Sequence, residues 1–230
     1  FFTDPAFWNT LKVSLLYAGL TVTIELLLGL GIALLLQKRT AVNNFISIML
    51  LLPLMIAPAL AALMWKLMTN PNFGILSYLA SMIGLENFRW ASSPDTALLT
   101  VVLVDIWVYT PFIIILLLAG LRSLPTQPFE AASLDGVPRS FVFFRITLPM
   151  LTPYILTATL FRLLDSIQQF DIIYAMTQGG PGNTLTVFQV EAYLNFFQST
   201  NVGRSAALLI ILWAITYFLQ HIHQKLAAIA

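Results

Sequence analysis

The sequence predicts an all-α integral membrane protein: a polytopic helical bundle with five visible transmembrane helices of an expected six, and a cytoplasmic helix-turn-helix between the third and fourth. Three observations predict it. Hydrophobic residues make up 59% of the 230 and charged residues only 9%, against about 25% charged in soluble domains. Five apolar runs approach or exceed the roughly 20 residues that cross a hydrocarbon core about 30 Å thick. The third and fourth runs are separated by a charged, glycine-broken island, Glu130 to Pro149.

The first run covers 11–36 and ends at the basic Gln37-Lys38-Arg39. The second covers 45–68 and is broken by Pro53 and Pro58; the third, 97–121, contains Pro111. The fourth covers 149–176 and the fifth 206–219. Periodicity adds little, because a helix facing lipid is apolar all round. The prolines are tolerated in a bilayer, where neighbours satisfy the freed carbonyls. The whole chain, 1–230, reads as a single transmembrane domain with outer loops at 69–96 and 178–203 and an inner loop at 122–148.

Orientation follows from basic residues near the span ends. One side holds Lys38, Arg39, Arg122, Arg139, Arg145 and Lys225; the other holds Lys12, Lys66, Arg89 and Arg204. This places the island and the C-terminus in the cytoplasm and Phe1 outside. An outer start without a signal peptide implies a preceding helix, hence six. A net charge of +1 leaves no nucleic-acid footprint, and the absence of cysteine removes disulfides and thiolate metal sites. His221 and His223 are two residues apart and do not face each other on a helix, which argues against a metal site.

Within the island, Pro128 suits a first helical turn that Thr126 or Gln127 can cap. Phe129, Ala132 and Ser133 share a face, and Gly136 is placed as a left-handed C-terminal stop. A second helical stretch from Arg139 to Thr147 leads to Leu148-Pro149, where the next span begins. Two readings follow: a loop lying on lipid headgroups, or a short helix set in a partner's groove.

Ionisable residues inside spans cost about 2.5–3.5 kcal/mol each on insertion scales, so they face a cavity or a partner. The chain has Glu25, Asp105, Arg162 and Asp165 in such positions, with Arg162, Asp165, Ser166 and Gln169 on one helix face. At 1.5 Å per residue, Asp105 lies about 12 Å in from the outer end of its span and Arg162 about 20 Å in from the inner end of its own. Tyr109 is one turn from Asp105. One reading makes Asp105, Tyr109, Arg162, Asp165 and Gln169 contacts for a hydroxyl-rich solute. The other is an Arg162–Asp165 structural pair, with Asp105 and Glu25 bonded between helices. Glu25 is read as structural.

The island resembles the signature loop of permease subunits of binding-protein-dependent ABC importers: Glu-Ala-Ala, three residues, Gly, nine residues, Ile, one residue, Leu-Pro. Here these are Glu130-Ala131-Ala132, Gly136, Ile146 and Leu148-Pro149. Asp135-Gly136, the Arg145–Pro149 ending and Gln178-Gly179-Gly180-Pro181-Gly182 resemble the carbohydrate, maltose-permease-like branch of the MetI-like superfamily. The resemblance implies that Glu130, Ala131, Ala132, Asp135, Gly136, Ile146, Leu148 and Pro149 couple the chain to a separate ATPase. It implies no cofactor on this chain, with ATP and Mg on a dimer of that ATPase. It also implies a second permease chain, related but different, and an extracytoplasmic solute-binding protein, for which Gly179, Gly180 and Pro181 are docking candidates. The location it implies is a bacterial or archaeal cytoplasmic membrane.

The function expected is the translocation subunit of an ATP-driven importer, for a sugar or sugar derivative. No G-x-x-x-x-G-K-[ST] loop is present, so energy must come from a partner. An ion-gradient-driven secondary transporter is the alternative, but paired repeats with interrupted helices are not visible. An intramembrane enzyme lacks its H-E-x-x-H, G-x-S-x-G or cysteine.

Overall fold

The computed structural model describes residues 3–85 and 88–227, all of them in helices, turns or irregular segments. Phe1, the expected outer end, and Glu86 and Asn87 of the loop 69–96 lie outside the described residues.

Helix α1 (Pro5–Leu36) has 32 residues, about 48 Å at 1.5 Å per residue. It starts six residues before the apolar run expected at 11, because Asp4 caps it. The Asp4 carboxylate accepts from the Ala6 N–H at 2.9 Å, and Pro5 occupies the first turn, where its missing N–H costs nothing. That N–H, and then Arg204, hold the Asp4 carboxyl below the usual carboxylate range. Arg204 reaches Asp4 at 2.8 Å and so ties the start of the chain to its last helix.

The second expected span is two helices. Thr40 caps α2 (Ala41–Leu50) by accepting from the Asn43 N–H at 3.1 Å. A 3-10 turn, Pro53–Met55, follows, and α3 (Pro58–Met68) then leaves at 91°. Pro53 and Pro58 each remove a donor, so the helical ladder cannot continue through the corner. Helix α4 (Ile75–Met82) and a 3-10 turn, Trp90–Ser92, bring the chain to α5 (Pro94–Ser123). Helix α5 is the most enclosed of the long helices, packed along α1 on one side and against α8 on another.

The island forms α6 (Gln127–Leu134) and a short α7 (Arg139–Val142). A single π-helical turn, Phe143–Thr147, carries α7 without interruption into α8 (Leu148–Ile167). The expected boundary at Leu148-Pro149 is therefore no break. The Pro149 ring would collide with the carbonyl four residues back in a regular helix, and the wider turn makes room. The fourth expected span does break near its C-terminal end, at residues 168–170, before α9 (Asp171–Thr177). Helix α10 (Phe188–Phe197) packs on α11 (Val202–Ala227) and touches α1. Among the described residues four helices are long and apolar enough to cross a membrane, or five if the bent α2–α3 pair counts as one span.

Close approach in the bundle depends on two glycines. A Cβ at Gly29 of α1 would lie 2.4 Å from Ile113 Cγ2 and 2.9 Å from its Cβ, and one at Gly120 of α5 would lie 2.6 Å from the Tyr154 ring. Ile113 is β-branched and cannot swing away. Gly29→Ala is expected to destabilise the purified chain by about 1–3 kcal/mol through overpacking. Gly19→Ala, on the same helix with nothing within 4 Å, is the control and should melt at or above the wild-type temperature. Equal melting of the two variants would mean that α1 and α5 do not pack at Gly29.

Candidate functional site

The island presents a short helix to solvent. Thr126 takes the N-cap position of α6, but its side chain makes no capping bond, contrary to the expectation from its residue type; the expected alternative, Gln127, is the first helical residue. Thr126 is already in helical backbone geometry (φ −79°, ψ −27°), whereas a capping side chain works from an extended residue. The stop at Gly136 is well formed. Gly136 has φ +65°, its N–H donates to the Ser133 carbonyl at 3.4 Å, and the Val137 N–H donates to the Ala132 carbonyl at 3.1 Å. These two bonds satisfy the last carbonyls of α6 around a left-handed residue. Ala132 is buried, while Glu130, Ala131 and Asp135 are exposed. Leu134, at 89% exposure, is an apolar tip that the residue pattern did not single out; an apolar side chain inside a polar island is the signal that would have found it. Ile146 and Leu148 are half-buried in and after the π turn, and Pro149 is exposed.

A cleft of about 560 Å³ lies beneath α6, between Arg39, Arg122, Phe129, Glu130 and Thr147. Arg122 closes the C-terminal end of α1, donating to the Leu36 carbonyl at 3.0 Å and to the Asn44 amide oxygen at 3.3 Å. A cation there also complements the negative end of the helix dipole.

The intramembrane charges converge from three helices. Arg162 of α8 is 1% exposed. Its Nε donates to Glu25 Oε2 at 2.6 Å and its Nη2 to Glu25 Oε1 at 2.9 Å, a bidentate pair with α1. Nη2 also reaches Asp105 Oδ2 of α5 at 2.8 Å, and Nη1 donates to Asp165. Gln169 donates to Asp105 Oδ1 at 3.1 Å, and the Ser166 and Thr21 hydroxyls meet at 2.9 Å. The guanidinium lies over the Tyr109 ring, 4.1 Å from its centroid, a cation–π contact. Arg162, Asp105, Glu25, Ser166 and Gln169 are buried, Tyr109 is half-buried, and the Asp165 side chain is 51% exposed. The five residues expected on a solute path are thus gathered in one place, with Asp165 and Tyr109 at its open edge. Thr21 had no signal in the sequence, since a hydroxyl in an apolar helix usually bonds its own backbone.

At the opposite end from α6, Gln178, Gly179 and Gly182 take positive φ and the Gly180–Pro181 peptide is cis. The Gly179 carbonyl accepts from the Leu185 N–H at 3.1 Å and the Thr186 hydroxyl at 3.3 Å. Gly179 is buried; Gly180 and Pro181 are half-buried. Next to the turn, Phe170, Tyr174, Tyr193 and Phe197 form a continuous aromatic run with centroids 4.7–4.9 Å apart in sequence from ring to ring. Among the described residues no group of three or more His, Cys, Asp or Glu could hold a metal.

Long apolar helices around a largely buried charged network, with a polar helix and turn carried at one end, define a polytopic membrane protein. Residues 25–228 match the model of the family described as binding-protein-dependent transport system inner membrane component. A probable ABC transporter permease, y4oQ of Sinorhizobium fredii, is 38% identical over 88% of this chain and 65% of its own length. The trehalose/maltose transport system permease MalF of Thermococcus litoralis is 33% identical over 91% of this chain and 70% of its own. The trehalose permease SugA of Mycobacterium tuberculosis is 34% identical over 97% of this chain and 71% of its own. The chain thus spans about two thirds of these relatives. Its fold matches that of a bacterial ABC transporter involved in import of the acidic polysaccharide alginate, with a TM-score of 0.84 at 22% identity, over 97% of this chain and 81% of that one. The chain belongs to the family of inner membrane components of binding-protein-dependent transport systems.

Proposed function

We propose that the chain is the translocation subunit of an ATP-driven importer for a sugar or sugar derivative, and that α6 is where it receives force from a separate ATPase. The observation that carries the sugar reading is its likeness, above 30% identity, to permeases named for trehalose or maltose transport. The coupling role rests on α6 itself: Glu130, Ala131 and Asp135 are exposed on a helix ended by Gly136, and Ile146, Leu148 and Pro149 join that loop to α8. An ATPase dimer, binding ATP and Mg, would close against this face on the cytoplasmic side, where the C-terminus also lies. A second, related permease chain would complete the pathway.

Asp165 and Tyr109 would meet the solute, their hydroxyl and carboxylate pairing with sugar hydroxyls. Arg162, Asp105 and Gln169 would hold them in place. The turn at Gly179, Gly180 and Pro181 would set the aromatic run as part of the surface on which an extracytoplasmic binding protein docks.

The test is a detergent pull-down of the full chain co-expressed with its candidate ATPase and second permease. Wild type is expected to retain the ATPase and Glu130→Lys to lose it, at least tenfold, while still inserting in the membrane. Retention by both would remove α6 from the coupling role. Uptake that continues without any ATPase, driven by an ion gradient, would replace the importer with a secondary transporter.

A further inference from the structure

Two cavities share a wall where α4 meets the start of α5. The first, about 690 Å³, has a polar rim that includes Asn72, Ser77, Tyr78, Ser81 and Arg89. The second, about 560 Å³, is lined almost wholly by apolar side chains, among them Leu79, Ile83, Leu99 and Leu103. Phe88 borders both.

The apolar trough runs along the membrane depth. Leu103 is nine residues into α5, about 14 Å from its end, and both Leu99 and Leu103 are exposed on the outside of the bundle. The trough therefore opens on the outside of this chain and is distinct from the Arg162 network. At its polar end, Ser77 and Ser81 commit their protons within the loop, to the Thr69 and Tyr78 carbonyls. The donors left on the rim are the Arg89 guanidinium, the Tyr78 hydroxyl and the Asn72 amide. Among the described residues Arg89 has no carboxylate in ion-pair reach. A cation and two neutral donors at the mouth of an outward-facing apolar trough complement a molecule with a phosphate at one end and a hydrocarbon chain at the other. A sugar would leave its hydroxyls unpaired in the trough. A purely apolar partner helix would leave the guanidinium unanswered.

We infer that the α4–α5 junction binds one anionic glycerophospholipid from the adjoining leaflet, with an acyl chain in the trough and its phosphate at Arg89. The guanidinium fork suits phosphate oxygens, which it meets with two parallel hydrogen bonds.

The experiment uses the assembled transporter purified in detergent. Added palmitoyl-oleoyl phosphatidylglycerol or phosphatidylcholine is washed out, and retained lipid is quantified per chain by mass spectrometry. Wild type is expected to retain about one phosphatidylglycerol in preference to phosphatidylcholine. Arg89→Gln should lower that preference about tenfold, the loss of one charged hydrogen-bonding group, and Arg89→Lys should keep part of it. Leu99→Trp, which fills the trough, should reduce retention of both lipids, whereas Leu27→Trp on the exposed face of α1 should not. Equal retention of the two lipids by wild type and Arg89→Gln would overturn the inference. So would Leu99→Trp retaining phosphatidylglycerol, or finding a partner subunit's helix in the trough. Sugar uptake is not part of the readout, so failure here and failure of the importer reading are separate results.

Discussion

Arg162→Met is expected to destabilise the purified chain by about 3–5 kcal/mol, the cost of removing one partner from a buried ion pair. Glu25 and Asp105 are both buried, and Arg162 donates to each. Without the guanidinium two carboxylates from different helices face each other in a low-dielectric interior, where repulsion is strong. Adding Glu25→Gln and Asp105→Asn to Arg162→Met should recover most of the loss, because no buried carboxylate is then left uncompensated and Asp165 is half exposed. Arg162→Lys should fall between, since a point charge cannot bond Glu25 bidentately and also reach Asp105. Thermal melting of the detergent-solubilised protein reads all three. If Arg162→Met melts with wild type, the network does not hold α1, α5 and α8 together.

The second large effect is expected at Gly136, and on coupling instead of folding. A Cβ there would meet nothing within 4 Å, so substitutions test the backbone alone. Asn tolerates the left-handed conformation and should support near wild-type solute-stimulated ATP hydrolysis by the assembled transporter. Ala should cost about 1–2 kcal/mol in that conformation and reduce coupling several-fold. Pro cannot reach φ +65° and lacks the N–H that donates to Ser133, so it should cost about 3 kcal/mol or more, beyond a hundredfold in coupled activity. A proline variant that works as well as the asparagine variant would show that the angle at which α6 leaves is unimportant.

The long helices were legible because lipid burial writes itself in composition: α1, α5 and α11 contain the apolar runs read at 11–36, 97–121 and 206–219. Gly136 was legible because a left-handed stop has few residue choices. The right-angle corner between α2 and α3 was only half legible. Pro53 and Pro58 announce a break, but its direction is set by what α3 packs against, chiefly α9, more than 100 residues away. The charged network shows the same limit. Arg162 and Asp165 read as neighbours on one helix face, yet their convergence with Glu25 and Asp105 depends on the rotation of three helices about their axes. An apolar helix carries no stripe from which to read that rotation. The π turn was hidden altogether, since Leu-Pro at a helix start reads the same whether the preceding chain ends or widens.

That π turn has a mechanical consequence. From Phe144 to Asp165 the chain advances 21 residues along continuous α-helical and π-helical backbone, a shaft of about 30 Å at 1.5 Å per residue. One end lies just past α6 and the other carries Asp165 and Arg162. A rocking of about 10° at one end would sweep the other through about 5 Å on that rise per residue. The π turn sits close to one end of the shaft, so a small bend there is multiplied over the whole length before it reaches Asp165. Under the coupling role proposed for α6, handle and working tip are one piece of chain, and the throw is set by the number of residues between them.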